Sequence, residues 1–371
     1  MKMKKICIFG GGSLYRLPVY KLMSERIGCD FYVVEDDPSM GIKTYDYNLL
    51  PTYKGSLRQK KLFGNFFWLK GAVSLYWKDY DIYVLGGPFC LSYWLLIILS
   101  WFSKKKVTTW SHGMYGRETG IRRVIKVLFY KLCSMNFVYN DRAKELMIQD
   151  GVKKDRICPV YNSMDTDHDL KIRQQLSSKD IYADYFKNNN PVIIFVGRVI
   201  KDKKLDLLIK AMLILKEKGH PVNFFVVGKD VDGVNLAHIA KNLGVSDSVY
   251  LYGPCYDEVI LGDFYYNADL CVSPGAIGLT AISAMSFGCP VITHNDLSHQ
   301  GPEFESVISG VTGDFFKADS VEDLASVIIR WFDTMTPSKK EEIRKNTMRE
   351  IDTKWNIYSE VAAFEKTFQK I

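Results

Sequence analysis

Two segments of the chain share the order of an apolar run, a glycine-containing turn and an amphipathic helix. The first is PVIIFVGRVIKDKKLDLLIKAM (191–212), and the second is ADLCVSPGAIGLTAISAMSFGCPVIT (268–293). Each unit predicts a buried strand followed by a helix, which is the building block of a parallel α/β sheet. Because parallel strands need crossover helices on the sheet faces, this feature restricts the fold more than any other.

The turn of each unit carries groups that suit an anion. Arg198 and Lys203 follow the first predicted strand, and Gly278, Leu279 and Thr280 open the second predicted helix. Backbone N–H groups at a helix N-terminus are unpaired and lie at the positive end of the helix dipole, so they bind phosphate. Two cationic side chains beside them would complete a diphosphate cradle without a metal ion. The pattern predicts an enzyme that handles a nucleotide diphosphate.

The alternation of strands and helices covers the whole chain and restarts after the polar stretch 163–190. Strands are predicted at 4–9, 31–35, 81–85, 106–110, 135–139, 156–160, 192–196, 222–227, 248–251, 269–272 and 290–293. Helices are predicted at 14–27, 89–102, 119–133, 141–149, 203–218, 234–243, 256–266, 279–287, 320–333 and 353–368. This order predicts an α/β protein with two Rossmann-like, doubly wound parallel-sheet domains and a ligand cleft between them.

A chain of 371 residues exceeds what one hydrophobic core usually supports, so two domains are expected. The predicted domains are 1–165 and 166–350. The remaining segment, 351–371, contains the last predicted helix, which we expect to pack back on the first domain.

The first predicted domain is basic. Residues 1–165 contain 26 Lys or Arg and 14 Asp or Glu, a net charge of +12, whereas the remaining residues have a net charge of −5. Aromatic residues are mixed with cations in RQKKLFGNFFWLKGAVSLYWK (58–78), and Lys104, Lys105 and Lys106 form a second basic group. This chemistry is typical of a membrane interface, and no nucleic-acid recognition motif accompanies it.

Three features indicate the compartment. The apolar run CLSYWLLIILSWF (90–102) is too short to span a bilayer, so it predicts a buried crossover helix, with shallow membrane insertion as the alternative. The start, MKMKKICIFGGG, has too short an apolar run for a signal peptide. The eight cysteines form no CxxC pair, which favours buried thiols in a reducing environment. We expect a cytoplasmic protein that lies on the inner face of the membrane at most.

The motifs of the second half resemble those of a known family. GRVIKDKKLDLLIKA, FFVVGKD, LYGPCY and SPGAIGLTAISAMSFGCPVIT…GPEFESVISGVTGDFF are similar in order and spacing to the donor domain of retaining glycosyltransferases of family 4, which have the GT-B fold. The resemblance is specific over roughly 140–320 and looser over the rest. It implies an N-terminal acceptor domain and a C-terminal nucleotide-sugar donor domain.

The resemblance also implies roles for individual residues. Arg198 and Lys203 match the basic pair that stabilises the departing diphosphate, and Gly278, Leu279 and Thr280 match the helix start that meets a phosphate. In the family, the loop that matches Tyr252, Gly253 and Pro254 holds the base through backbone contacts.

The chain departs from the family at two acidic positions. The family places two glutamates eight positions apart around this helix, and the matching residues here are Gly275 and Ser283. Ser283 could still hydrogen-bond a ribose hydroxyl. Glu303 and Glu305 are the nearest candidates to supply the missing charge, although exposed loop carboxylates are an equal interpretation. A branch of bacterial surface-polysaccharide transferases resembles this version of the motif.

The first domain adds candidates by the same resemblance. Gly11 and Gly12, in GGGSLYR (10–16), would let the backbone approach the donor phosphates, although the loop lacks GxGxxG spacing. The acidic run EDD (35–37), just after the second predicted strand, is only weak support for a dinucleotide fingerprint. His112, in TTWSHGMYGRE, ends a predicted strand and resembles the histidine near the reacting sugar. Arg117 and Glu118 are poorer candidates.

The implied reaction is sugar transfer from a nucleotide diphosphate, with UDP or GDP as the carrier and retention at the anomeric carbon. No metal requirement is expected, and DTD (165–167) lies at the expected hinge rather than in a metal site. The acceptor expected for a basic, aromatic first domain is a polyprenyl-diphosphate-linked glycan of surface polysaccharide, O-antigen or capsule assembly. A soluble acceptor, a non-catalytic GT-B subunit that binds a partner transferase or glycan, and a nucleotide-sugar epimerase are the alternatives.

Overall fold

The computed structural model describes residues 4–35 and 44–371, and the chain forms two compact units. The first unit contains the residues up to Asp165 together with Asn356–Ile371, and the second contains Thr166–Trp355. Asp36 and Asp37 of the EDD run lie outside the described residues.

The described residues of the first unit form an eight-stranded sheet and four α-helices before the chain enters the second unit. Its strands are β1 (Ile6–Gly11), β2 (Asp30–Val34), β3 (Tyr53–Lys61), β4 (Phe67–Lys70), β5 (Ile82–Leu85), β6 (Lys106–Ser111), β7 (Met135–Val138) and β8 (Ile157–Pro159). Its helices are α1 (Leu17–Arg26), α2 (Leu91–Ser100), α3 (Gly120–Leu132) and α4 (Asp141–Gln149). The spatial order is β4-β3-β2-β1-β5-β6-β7-β8, and every pair is parallel except β3–β4.

Both faces of this sheet are covered because successive side chains of a strand point to opposite sides. Cys7 and Phe9 of β1 pack in a core with residues of α2, α3 and α4. Ile6 and Ile8 enter a second core with residues of α1. The ends of the strands are therefore where a ligand can reach the backbone.

The second unit contains a six-stranded, all-parallel sheet. Its elements in chain order are α5 (Thr166–Arg173), β9 (Val192–Val196), α6 (Leu205–Glu217), β10 (Asn223–Val227), α7 (Leu236–Asn242), β11 (Val249–Gly253), α8 (Glu258–Asn267), β12 (Leu270–Ser273), α9 (Thr280–Ser286), β13 (Val291–His294), β14 (Gly313–Phe316), α10 (Val321–Asp333) and α11 (Pro337–Thr353). The spatial order is β11-β10-β9-β12-β13-β14. Numbered within the unit, this is the 3-2-1-4-5-6 order of dinucleotide-binding folds.

The last helix, α12 (Ile357–Phe368), packs in the first unit. Its Phe364 ring lies 4.3 Å from the Phe137 ring and 4.8 Å from the Trp110 ring, between centroids. Val361 and Phe368 are buried in the same core as α1. The predicted boundary at 350 falls inside α11, which continues to Thr353.

The alternation pattern does not predict β3, β4, β14, α5 or α11. Strand β3 ends in exposed polar residues, and α5 lies in the polar stretch 163–190, for which no element was predicted. Helix α11 buries only Ile343, Thr347 and Ile351, too few for a clear apolar stripe. The aromatic residues of 58–78 are also divided, since Tyr76 is buried in the core whereas Phe63 and Trp77 are exposed.

Candidate functional site

The strand order of the second unit reverses between β9 and β12, and this switch point is where open α/β sheets bind ligands, at the carboxyl ends of the strands. Arg198 lies two residues after β9 and is exposed. The segment with Gly278, Leu279 and Thr280 follows β12 and leads into α9. The fold thus brings both predicted phosphate-binding segments to one edge of one sheet.

Three glycines end neighbouring strands at this edge, and we call Gly197, Gly228 and Gly253 the glycine ledge. The Gly197 amide donates to Val227 O at 2.9 Å, and the Gly228 amide donates to Gly253 O at 2.8 Å. A Cβ atom on Gly228 would lie 1.8 Å from Gly197 O, so no side chain fits there. The ledge exposes backbone where a ligand can approach closely. The sequence pattern that could have identified the ledge is a glycine after each apolar run, as in FVGR, VVGK and LYGP.

Lys203 is held by the loop that follows β12. Its Nζ donates to Ala276 O, and Ile277 O lies 3.4 Å away. The Ile277 amide in turn donates to the Oε1 atom of buried Gln300 at 2.9 Å. Burial lowers the pKa of Lys203, Glu303 opposes this, and the positive charge of Arg198 lowers it further. Lys203 therefore organises the loop and adds positive charge beside Arg198.

The start of α9 is tied to the end of β9. The Thr280 hydroxyl donates to Val196 O at 3.2 Å, and Gly278 has φ of +61°, a conformation that favours glycine. Ser283 is half-buried within α9. Leu279 is half-buried before the first helical residue. All four predicted residues thus lie at or near the switch point.

Gly275 has a structural reason to be glycine. A Cβ atom there would lie 1.9 Å from Asp202 O and 2.8 Å from Lys203 Cα. The Gly275 amide donates to Lys203 O at 2.9 Å. The backbone before α6 therefore occupies the space of any side chain at this position, including the glutamate that the family carries.

The two alternative carboxylates lie in the helical turn Pro302–Ser306. Glu303 is buried, with 3% of its surface exposed, and its charge raises the pKa of Lys203. A Cβ atom on Gly301 would lie 2.9 Å from Glu303 Oε2 and 2.9 Å from Gly278 Cα, so the turn packs beside the start of α9. Glu305 is half-buried in the same turn. The interpretation of Glu303 as an exposed loop carboxylate is wrong.

The predicted base-binding loop ends the edge strand β11. Gly253 has φ of +88°, and Pro254 follows it directly. The ring of Tyr252 packs between Phe225 and Phe264, at centroid distances of 5.7 Å and 4.9 Å. The aromatic contacts position this loop, whereas its backbone stays available at the end of the ledge.

The carboxyl edge of the first sheet is lined by side chains. His112 follows β6, and its ring lies 4.9 Å from the Tyr139 ring and 5.7 Å from the Tyr115 ring. Desolvation by the surrounding protein lowers the pKa of His112 to about 4, and Arg16 and Lys126 add to this effect. The side chain still has an exposed face. His112 is therefore a neutral imidazole near pH 7.

The predicted glycines of this edge differ in their surroundings. Gly11 ends β1, next to the switch point between β1 and β5, and no atom lies within 4 Å of a Cβ built there. A Cβ on Gly12 would lie 2.6 Å from the Tyr47 hydroxyl. Gly86 and Gly87 follow β5 on the other side of the switch point, and the run LGG is the signal that could have identified them.

A buried arginine beside His112 is the main residue that sequence reasoning misses here. Arg16 donates to the Tyr139 hydroxyl, and its Cζ lies 4.8 Å from the Trp110 ring centroid. Its Nη1 lies 3.8 Å from Glu360 Oε1 on α12, and Ser163 donates to the same carboxylate. Glu360 is buried, which raises its pKa to about 7 despite Arg16 and the Ser163 hydrogen bond.

Glu118 and Lys126 shape the loop that carries His112. The Glu118 carboxylate accepts hydrogen bonds from the amides of Tyr115 and Gly116 and from Lys126. Although burial opposes it, these bonds lower the pKa of Glu118. Arg117 is exposed and lies over the Tyr115 ring at 5.0 Å. Glu118 thus fixes the loop rather than facing a ligand.

Within residues 4–35 and 44–371, no group of three His, Cys, Asp or Glu side chains is arranged to hold a metal ion. Thr166 of the DTD sequence begins α5, at the boundary between the two units.

Comparison with known proteins identifies the second unit. The family described as "Glycosyl transferases group 1" matches residues 179–350. These residues form a group 1 glycosyltransferase domain. The segment matched contains the glycine ledge, Arg198, Lys203 and the start of α9.

A curated relative of this chain is the capsular polysaccharide biosynthesis glycosyltransferase CapM of Staphylococcus aureus. It is 26% identical over 211 residues, which cover 53% of this chain and 52% of CapM. The chain spans about half the length of the curated relatives it matches.

Solved structures resemble the whole chain. Anabaena HepE in complex with UDP has a TM-score of 0.71 at 16% identity, with 100% of both chains covered. A glycosyltransferase from Rickettsia africae has a TM-score of 0.73 at 13% identity, with 100% of this chain and 99% of the other covered. The chain therefore has the GT-B fold, with its group 1 domain as the C-terminal Rossmann-like unit.

Proposed function

We propose that the protein transfers a sugar from a nucleotide-diphosphate sugar to a glycan acceptor, with UDP as the first carrier to test. One observation carries the proposal: Arg198 and Lys203 lie with the Gly278–Thr280 segment and the glycine ledge at the switch point of a group 1 domain. A site with two cations and open backbone suits a diphosphate. The UDP complex of the structural neighbour HepE supports this choice of carrier.

The proposed reaction retains the anomeric configuration. The bond between the anomeric carbon and the diphosphate oxygen breaks, and the acceptor oxygen forms its bond on the same face of the sugar. The acceptor proton passes to the departing phosphate, so no covalent nucleophile is required. Arg198 and Lys203 would stabilise the charge that develops on the diphosphate, and this charge stabilisation would replace a metal ion.

His112 would orient hydroxyl groups near the reacting sugar. Its pKa of about 4 leaves the imidazole neutral, able to accept or donate one hydrogen bond without adding a positive charge beside the reacting carbon. Tyr139, anchored by Arg16, and Tyr115, held by Glu118, fix the ring from two sides.

The proposed acceptor is a polyprenyl-diphosphate-linked glycan at the cytoplasmic face of the membrane, in the assembly of a surface polysaccharide. The similarity to a capsular polysaccharide enzyme and the net charge of +12 over residues 1–165 support this class. No described helix is both long and apolar enough to cross a membrane. A peripheral location is part of the proposal.

A non-catalytic GT-B subunit is the second candidate, and the blocked space at Gly275 favours it. With no side chain possible there, the contact that the family's first glutamate makes with the donor sugar has no equivalent at that position.

For the catalytic function, Glu303, buried beside the start of α9, is the carboxylate we propose for this contact.

A turnover assay separates the candidates. The chain is incubated in EDTA with UDP-glucose, UDP-galactose, UDP-N-acetylglucosamine or GDP-mannose and a short-chain polyprenyl-diphosphate glycan. We expect nucleotide release that requires the acceptor, and NMR of the product should show the donor's anomeric configuration. Nucleotide binding without turnover for any donor would indicate the non-catalytic subunit, and donor conversion without acceptor would indicate an epimerase.

A further inference from the structure

Helix α3 has its apolar face turned to solvent. Ile121, Val124 and Leu128 are 70%, 58% and 48% exposed, and their spacing places them on one side of the helix. The opposite side enters the core with Phe129, Tyr130 and the buried cation Lys126. A surface helix normally turns polar residues to solvent, so an apolar outer face in addition to the buried apolar side indicates a partner for the outer face. We call Ile121, Val124 and Leu128 the apolar stripe.

The neighbouring helix α2 also ends in exposed apolar residues. The rings of Trp94 on α2 and Phe129 on α3 are 5.2 Å apart, so the two helices are in contact. At the end of α2, Ile98, Trp101 and Phe102 are exposed. Large aromatic residues beside a polar boundary are typical of membrane interfaces.

The charged residues around these helices are almost all positive. Residues 101–133 contain eight cations and one acidic residue, Glu118. The cations are Lys104, Lys105, Lys106, Arg117, Arg122, Arg123, Lys126 and Lys131.

Three of the cations make hydrogen bonds or ion pairs within the protein. Lys105 donates to Lys78 O and Tyr80 O, Lys126 pairs with Glu118, and Arg123 pairs with Asp150. Lys104, Lys106, Arg122 and Lys131 are exposed.

We propose that the apolar stripe and its cations dock on an anionic phospholipid bilayer. The stripe would enter the boundary between headgroups and acyl chains, and Lys104, Lys106, Arg122 and Lys131 would contact lipid phosphates. A helix of 13 residues is about 20 Å long, enough to lie in the interface but too short to cross it.

The position of the stripe connects docking to the proposed acceptor. Helix α3 starts at Gly120, directly after the loop that carries His112. A bilayer against the stripe would therefore bring a lipid-linked acceptor to the His112 edge of the first sheet. The inference deepens the proposed function and rests on it for its biological role, but its test requires neither donor nor acceptor.

The test is co-flotation with vesicles of phosphatidylcholine alone or with 30% phosphatidylglycerol, at low and high salt. We expect binding to the anionic vesicles that salt weakens. The variant Ile121→Ser/Val124→Ser/Leu128→Ser should bind at least about tenfold more weakly, because less apolar surface enters the interface. Lys104→Gln/Lys106→Gln should lose roughly fivefold for each cation.

The control variant Leu170→Ser/Ile308→Ser changes exposed apolar residues of the second unit and should bind vesicles like the unmodified chain. UDP binding, measured by thermal shift, should persist in all variants, which distinguishes a failure of docking from a failure of the proposed function. Equal vesicle binding by the stripe variant would overturn the proposal. So would a dimer that the stripe variant dissociates, since the stripe would then bind a second copy of the chain.

Discussion

The two sheets share a strand order around their switch points but present opposite surfaces at their carboxyl edges. In the second unit, Gly197, Gly228 and Gly253 remove side chains and leave backbone open. In the first unit, the corresponding edge carries His112 and Tyr139 over the buried Arg16. Open backbone beside the cations Arg198 and Lys203 suits a charged diphosphate that must approach closely, whereas an edge lined by rings suits a partner recognised by shape.

The two edges also differ in the physical constraint on their residues, which is steric at one edge and electrostatic at the other. At Gly228 of the glycine ledge and at Gly275, neighbouring backbone leaves no room for a Cβ atom. The first edge instead buries Arg16 and Glu360, two ionisable groups 3.8 Å apart. Substitutions should therefore act through steric conflict at one edge and through charge at the other.

The largest expected effect is at Gly275. In Gly275→Glu, the Cβ atom would meet Asp202 O at 1.9 Å, so the loop must move. We expect the free energy of unfolding to fall by at least about 3 kcal/mol, measured by urea denaturation. UDP affinity should fall with it, because Lys203 lies in the displaced backbone.

Gly11→Ala is the matched control from the first edge, since no atom lies within 4 Å of the added Cβ. It should change stability by less than about 1 kcal/mol. A Gly275→Glu protein with unchanged stability and faster sugar transfer would show that the position is open to the glutamate.

The second effect is a pH dependence that comes from Glu360. Its folded pKa of about 7 exceeds the ordinary value of 4.5, so the folded state holds the proton more tightly. The contribution of Glu360 to the free energy of unfolding is fully present below pH 4.5 and is lost as pH rises to about 7. The loss is about 3 kcal/mol at most.

Urea denaturation of Glu360→Gln across this pH range should show a flatter profile than the unmodified chain. The exposed Glu25→Gln control should keep the original profile. Parallel profiles for Glu360→Gln and the unmodified chain would contradict the assignment.

The smallest effect separates two neighbouring lysines. Lys105 donates to Lys78 O at 2.7 Å and to Tyr80 O at 2.9 Å, whereas Lys104 is exposed. Lys105→Gln should lower the free energy of unfolding by about 1 to 2 kcal/mol, and Lys104→Gln should leave it unchanged. Equal melting temperatures for the two variants would remove the structural role of Lys105 and return it to the group of membrane-facing cations.

Local periodicity predicted the elements that bury a continuous apolar run. Strands β9 and β12 have such runs and are followed by the turns on which the candidate site depends. Strand β3 and helix α11 were missed because most of their residues are exposed, and their place in the fold depends on neighbours.

The position of Gly278, Leu279 and Thr280 at the start of α9 was predictable, because one short motif holds all three residues. The contacts of Lys203 with Ala276 O and Ile277 O were not, because they depend on a loop distant in sequence. Arg16 was missed for the same reason, since its partners Tyr139 and Glu360 are far along the chain.

Calorimetric titration with UDP tests the central claim, that the carboxyl edge of the second sheet holds the diphosphate. The unmodified chain should bind UDP in EDTA. Arg198→Ala should weaken binding at least about tenfold, because a charge-assisted contact is lost. His112→Ala should keep full affinity, because UDP lacks the sugar that His112 would face. Unchanged affinity in Arg198→Ala, or its loss only in His112→Ala, would contradict the account.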